Sequence, residues 1–294
     1  MTAPPAPPAP PAPPAAPPRP GRLVLLGHPV AHSLSPAFQN AALAFAGVPL
    51  RYTAIDVAAT ELPATLETLI AQRGAGNVTI PHKERVAGAC ARLTPVARRA
   101  GAVNTFWVED EGLVGDNTDV AAFHEVATGL LRGIPEGARL ALLGAGGAAA
   151  AVLTAVERWP GVRVRVWSRS QERAAQLCAR MPAIATVAET ATAAARDATL
   201  VVNATPLGLA DAADSVPIDP TALVPGAAVL DLVYRTGETA WVRAARACGH
   251  PAADGLGMLI AQGALAFERW LGIVPDRRVM WDAVRELAGA RPAH

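Results

Sequence analysis

The sequence predicts an α/β architecture in two domains, and three observations carry that prediction. The chain has 294 residues, enough for about two domains of ~150 residues with separate cores. Short apolar runs alternate with helix-length segments along most of it, the pattern of parallel strands covered by helices on both faces. The alternation restarts at Arg139 with a strand, a glycine-rich turn and an alanine-rich helix.

Each element has a local reason. Residues 1–20 are a Pro-Ala tract holding eleven of the 27 prolines. With no leucine-rich core and a single arginine, the tract does not suit a signal or transit peptide. It reads as a flexible, polyproline-II-like tail outside the fold. Residues 23–26 read as a strand, followed by a loop of Gly, His, Pro and Ser. A helix over 36–46 comes next, with Ser35 as N-cap, Pro36 at the first helical position and Gly47 past the end. A strand over 52–55, a helix over 61–73 and a strand over 78–80 follow. Two helices come after, the second opened by Thr94-Pro95. A strand over 103–108 then meets an Asp-Glu-Gly turn. The restarted half reads as a strand over 140–143, a helix to Arg158, a Pro160-Gly161 break and a strand over 162–166. Strands over 200–203 and 229–233 follow with helices between, and a long helix over 257–271 closes the pattern.

Composition removes several classes of function. The formal net charge is +1, from 26 basic and 25 acidic residues, so no electrostatic footprint for nucleic acid or an anionic membrane exists. Cys90, Cys178 and Cys248 are far apart and form no CxxC pair. A disulfide framework or zinc site is not expected, and a reducing cytoplasm is the default. The six histidines contain no HExxH pair, and no metal is expected. Residues 140–156 carry no charge and have the look of a short membrane span. Gly144, Gly146 and Gly147 interrupt them, however, and divide them into a strand-like and a helical half. No membrane partner is expected.

"LLGAGGAA" holds Gly144-x-Gly146-x-x-Ala149, placed between an expected strand and helix. Glycines there permit a tight turn and close backbone approach, and the helix N-terminus receives a pyrophosphate. Gly144, Ala145, Gly146, Gly147 and Ala148 are the candidate cradle; a plain structural turn is the other reading. An NAD site usually places an acid about 20 residues on, to bond the ribose 2′-hydroxyl. Here the next strand ends in Trp167-Ser168-Arg169-Ser170, with Arg173 one helical turn further. Cations and hydroxyls suit a 2′-phosphate, which favours NADP. Two solvated arginines on a polar loop are the alternative.

"NVTIPHKE", residues 77–84, delivers a lysine at the tip of a strand. Lys83 suits either a solvated helix start or the crevice where open α/β sheets bind ligands.

Six clusters then stand in order: "GHPVAHSLSP" at 27–36, "NVTIPHKE" at 77–84, "GAVNT" at 101–105, "GDNTD" at 115–119, "NATPLGL" at 203–209 and "ADGLGMLIAQ" at 253–262. Their order and spacing strongly resemble the shikimate dehydrogenase family over residues 21–290. The resemblance implies reversible NADPH-dependent reduction of 3-dehydroshikimate to shikimate, on the route to chorismate and aromatic amino acids. It also implies a discontinuous α/β substrate domain plus a Rossmann-type dinucleotide-binding domain with a cleft between them. The expected divisions are 21–122 for the substrate domain, 123–256 for the NADP-binding domain and 257–294 for a helical return to the first.

Carried over motif by motif, Ser33, Ser35 and Tyr234 would bind the substrate carboxylate. Ser35 has its N-cap role as a second reading, and both hold together because a helix N-terminus favours an anion. Thr79, Asn104 and Gln262 would bond ring hydroxyls, and Lys83 and Asp119 would close on the reacting oxygen. Asn104 is expected on a strand, and Gln262 one turn after Met258 with both facing the cleft. Leu232 and Gly255 match positions lining the nicotinamide. Val120, Ala149-Ala150 and Pro95 depart from residues common in the family; the second departure removes one possible phosphate contact. The alternatives are a quinate or dual quinate/shikimate dehydrogenase, and a catalytically silent NADPH-binding sensor. Intact Ser33-x-Ser35 and Arg169 argue against the first, and Lys83 with Asp119 against the second. Beyond the small-molecule substrate no partner is implied, and monomer and homodimer both stay open.

Overall fold

A computed structural model of the chain describes residues 19–208, 216–235 and 237–288. Residues 1–18 of the expected tail and Leu209 of the NATPLGL cluster lie outside them. The first part runs β1 (Arg22–Gly27), α1 (Ser35–Phe45), β2 (Tyr52–Asp56), α2 (Leu62–Ala71), β3 (Gly74–Val78), α3 (Lys83–Ala89), β4 (Arg92–Leu93), α4 (Pro95–Ala100), β5 (Thr105–Glu109) and β6 (Gly112–Asp116). The second runs α5 (Thr118–Leu131), β7 (Arg139–Leu143), α6 (Gly147–Val156), β8 (Arg163–Trp167), α7 (Gln171–Ala179), β9 (Ala185–Val187), α8 (Ala191–Ala195), β10 (Leu200–Asn203), β11 (Ala228–Asp231), α9 (Ala240–Ala247) and β12 (Ala252–Ala253). Helices α10 (Leu256–Leu271) and α11 (Arg277–Ala288) close the described chain.

The first sheet has the order β2-β1-β3-β5-β6-β4. β1 lies parallel to β2 and β3, but β5 is antiparallel to both β3 and β6. The expected all-parallel arrangement therefore fails here. Glu109 pairs with Gly112, so only Asp110-Glu111 joins β5 to β6. A two-residue link returns a chain antiparallel, because a parallel return needs a long crossover. The strand expected over 78–80 ends at Val78, and Ile80 is 57% exposed. Its true body, Gly74-Ala75-Gly76, is selected for close approach: a Cβ on Gly76 would lie 2.0 Å from the Val24 carbonyl oxygen of β1.

The second sheet is parallel throughout, in the order β12-β11-β10-β7-β8-β9. Both faces are covered. Leu140 and Leu142 of β7 enter one core with Val152 and Leu153 of α6, while Ala141 and Leu143 enter another with Trp241 of α9. The chain winds outward from β7 to β9, then crosses to β10 on the other side. That reversal leaves a crevice at the carboxyl ends of β7 and β10, where such sheets bind ligands.

α10 touches both cores. Leu256, Ile260, Ala264 and Phe267 pack with α1 and β1, while Met258 and Ala261 pack with α5 and α6. Among the described residues, no helix is long and apolar enough to cross a membrane.

Candidate active site

The loop after β3 meets the loop after β7. Lys83 is the first residue of α3, and its Nζ donates to Asp119 Oδ2 at 2.6 Å, with side chains 15% and 7% exposed. Asp119 sits in the first turn of α5, where the helix dipole favours a carboxylate. Asn117 caps that helix, its Oδ1 accepting from the Asp119 amide at 3.2 Å. Asn104 Nδ2 donates to Asp119 Oδ1 at 2.8 Å, and Asn104 Oδ1 accepts from the Thr118 amide at 2.7 Å. Both oxygens of Asp119 are thus engaged. Asn104 does not lie on a strand as expected; it precedes β5 and secures the start of α5.

Beneath this pair runs a buried polar chain. Gln262 Oε1 accepts from Asn104 Nδ2 at 3.3 Å and Asn77 Nδ2 at 3.5 Å, and Tyr52 donates its hydroxyl to Asn77 Oδ1 at 2.8 Å. Met258, one turn before Gln262, is buried with the core around α5 and α6. Thr79 follows β3 directly, and its amide donates to the Leu26 carbonyl at 2.8 Å. Sequence reasoning missed Tyr52 and Asn77. Asn77 inside the NVTIPHKE cluster was the available signal, because a side-chain amide in a buried strand needs partners.

Ser33, Ser35 and Tyr234 come together from opposite parts of the chain. Ser33 Oγ accepts from the Ser35 amide at 3.2 Å. The N-cap of α1 is Leu34, not Ser35, and it has no side-chain bond to the helix. Ser35 is instead the first helical residue, because the chain is already helical at Leu34 (φ −79°, ψ −7°) and α1 starts one position early. Tyr234, beyond β11, bonds to the Ser33 side chain and the Leu34 backbone. Burial pushes its phenol pKa up, against those bonds.

The glycine loop has the shape of a phosphate cradle. Gly144 has φ +117°, and a Cβ there would lie 2.8 Å from the Ala204 carbonyl oxygen. Gly146 is the N-cap of α6, with no side-chain cap and nothing within 4 Å of its Cβ position. Ala145, Gly147 and Ala148 stay half-buried around it, and the first N–H groups of a helix have no partner within the helix, which leaves them for an anion. A Cβ on Gly147 would lie 3.3 Å from the Lys83 stem, so this loop and the lysine share one cleft.

Beyond β8, Ser170 caps α7, accepting from the Arg173 amide at 3.2 Å. Ser168 is half-buried, and Arg169 is exposed without an ion pair among the described residues. Arg173 Nη2 lies 3.4 Å from Glu84 Oε1. The open cradle and adjoining guanidinium groups fit a dinucleotide that carries a 2′-phosphate. Leu232 and Gly255 also meet: a Cβ on Gly255 would lie 2.3 Å from the Leu232 carbonyl oxygen.

Comparison with known proteins finds relatives over most of the chain. A family model described as the shikimate dehydrogenase substrate binding domain matches residues 25–106, and one described as the shikimate 5′-dehydrogenase C-terminal domain matches 255–285. The NADP(+) shikimate dehydrogenase of Rubrobacter xylanophilus is 43% identical over 261 residues, covering 86% of this chain and 91% of that protein. A counterpart from Thermus thermophilus is 43% identical over 271 residues, covering 91% and 99%. The crystal structure of a Thermus thermophilus shikimate 5-dehydrogenase with NADP(H) and shikimate aligns at TM-score 0.80 and 39% identity, covering 90% of this chain and 98% of that one. Shikimate dehydrogenase from Aquifex aeolicus aligns at TM-score 0.82 and 32% identity, covering 90% and 97%.

Proposed function

The chain belongs to the shikimate dehydrogenase family, and on that premise we propose that it catalyses the reversible NADPH-dependent reduction of 3-dehydroshikimate to shikimate. The observation that carries the proposal is the Lys83–Asp119 pair, 2.6 Å apart, against the glycine loop. Residues 21–122 with 257–294 form the substrate domain in this reading, and 123–256 the cofactor domain. The cytoplasm is its compartment, which suits three free cysteines.

NADPH, when bound, supplies the hydride for the ketone carbon. The residues of the chain manage the oxygen. As that oxygen gains negative charge it must gain a proton, and Lys83 with Asp119 holds and transfers one there. In the reverse direction the same pair accepts it. Thr79, Asn104 and Gln262 orient the ring through its hydroxyls, and Ser33, Ser35 and Tyr234 hold the carboxylate. Gly144, Ala145, Gly146, Gly147 and Ala148 receive the pyrophosphate on backbone N–H groups. Ser168, Arg169, Ser170 and Arg173 take the 2′-phosphate, while Leu232 and Gly255 line the nicotinamide side.

Initial rates with shikimate and quinate, each with NADP and NAD, test the proposal. Shikimate with NADP should give the highest kcat/KM of the four. Quinate turned over as efficiently would establish a dual enzyme instead, and no turnover with any pair would leave a cofactor-binding protein without this chemistry.

A further inference from the structure

Glu84 and Arg173 belong to opposite sides of the cleft, yet Arg173 Nη2 reaches within 3.4 Å of Glu84 Oε1. Glu84 follows Lys83 in the first turn of α3, on the side of the first sheet. Arg173 lies in the first turn of α7, directly after Ser168-Arg169-Ser170. The far end of α7 is anchored differently. Arg180 Nη2 donates to the Arg99 carbonyl at 2.8 Å, and its guanidinium covers Gly101 so closely that a Cβ there would lie 2.3 Å away. Arg99 is itself held by both carboxylate oxygens of Glu157, with Nε to Oε2 at 2.9 Å. The C-terminal end of α7 is therefore fitted against the first half by close contact. Its N-terminal end is tied by an ion pair whose side chains are 55% and 58% exposed. Such a pair is weak and exchangeable, whereas a phosphate offers the same guanidinium two parallel, charge-assisted bonds.

We propose that Glu84 is a resident competitor for the 2′-phosphate site. Its carboxylate occupies Arg173 until a ribose 2′-phosphate displaces it, so an acid on the substrate side sets part of the selectivity for the phosphorylated cofactor. The inference rests on the NADP reading above. It makes Glu84 a specificity-determining residue that contacts neither the substrate nor the reacting atoms.

Calorimetric titration of the full chain with 2′,5′-ADP and with 5′-AMP tests it without turnover. Glu84→Gln should tighten 2′,5′-ADP by ~2- to 5-fold at low salt, the span of an exposed ion pair, and leave 5′-AMP unchanged. The gain should vanish in an Arg173→Ala background and at about 0.5 M salt, where an exposed pair is screened. Glu172→Gln removes the same charge from the residue beside Arg173, so an equal gain there would reduce the effect to general electrostatics and overturn the proposal. So would an unchanged 2′,5′-ADP affinity in Glu84→Gln, or an equal gain for both ligands. A wild-type chain that binds the two ligands equally would remove the NADP reading and this inference with it. A wild-type preference for 2′,5′-ADP that Glu84→Gln leaves untouched would remove this inference alone.

Discussion

Lys83 Nζ and Asp119 Oδ2 lie 2.6 Å apart, although they stand in the first turns of different helices and 36 positions separate them. Of the 26 basic residues in the chain, Lys83 alone is a lysine. Arginine serves at every other basic position, including the ion pairs of Arg99 and Arg165. A guanidinium stays protonated in proteins, whereas an ammonium can release its proton. The one lysine of the chain is itself largely buried where it meets a carboxylate, its side chain 15% exposed, whereas Arg269, which also meets a buried carboxylate at Asp116, is 57% exposed.

Lys83→Arg should therefore keep the charge and still lose ~10²-fold or more in kcat, the lower end of what a positioned acid or base contributes. Lys83→Ala and Asp119→Asn should each cost ~10²–10⁴. The double variant should lose much less than the product of the two, because residues acting as one unit are not additive. Near-normal kcat in Lys83→Arg would show that charge alone suffices. Fully multiplicative losses would break the claim of a shared proton.

Arg169→Ala should raise KM for NADP by ~10- to 100-fold relative to NAD, since a hydrogen bond to a charged group contributes ~1.5–3 kcal/mol. Arg169 is exposed, so its loss leaves no buried group unpaired and the fold intact. A parallel rise for both cofactors would place Arg169 outside the 2′-phosphate site.

The legible parts of this protein are those where one residue type answers one physical demand. Gly144 needs a positive φ and has no room for a Cβ, so the glycine loop was visible in the sequence. Leu200–Asn203 is buried on both faces, so its apolar run marked the strand at its true bounds. β3 was misplaced because Gly74 and Gly76 were chosen for contact with neighbouring backbone and side chains, and a glycine-rich strand carries no apolar signal. Ser35 does not cap α1 because the helix starts one residue before the Ser-Pro signal, with Leu34 already in helical geometry. Tyr52 and Asn77 escaped notice because their bond joins separate strands. A tyrosine in a strand looks like ordinary core until its hydroxyl finds a partner.

The three cysteines should differ in reactivity. Burial pushes the Cys90 thiol up to about 11 and also raises Cys178, while Cys248 is exposed. A raised thiol pKa lowers the thiolate fraction at every pH below it. At pH 8 about one Cys90 in 10³ is ionised, by the tenfold change per pH unit. Iodoacetamide at pH 8 should therefore modify Cys248 first, as read by peptide mass mapping. Cys90 labelling at the same rate would contradict the burial argument.

Tyr52→Phe isolates one hydroxyl in the chain of bonds beneath the site. The ring is almost wholly buried and stacks on Trp270 with centroids 5.9 Å apart, contacts that phenylalanine keeps. What is lost is the 2.8 Å bond to Asn77 Oδ1. An unsatisfied buried acceptor costs ~1–3 kcal/mol, so Tm should fall by several degrees, at ~2–4 °C per kcal/mol for a chain somewhat shorter than this one. Freed from Tyr52, the Asn77 amide can rotate away from Gln262 and Asn104, so KM for shikimate should rise while the affinity for NADPH stays unchanged. The pH dependence supplies an independent check. Burial raises the Tyr52 phenol well above its ordinary value of 10.0. Below pH 10.0 both folded and unfolded chains hold the proton, and the stability gap between wild type and Tyr52→Phe should be constant. Above it the unfolded chain releases the proton first, so wild type alone loses stability and the gap narrows. An unchanged Tm and KM, or a gap already closing at pH 8, would show that the hydroxyl supports neither the fold nor the site.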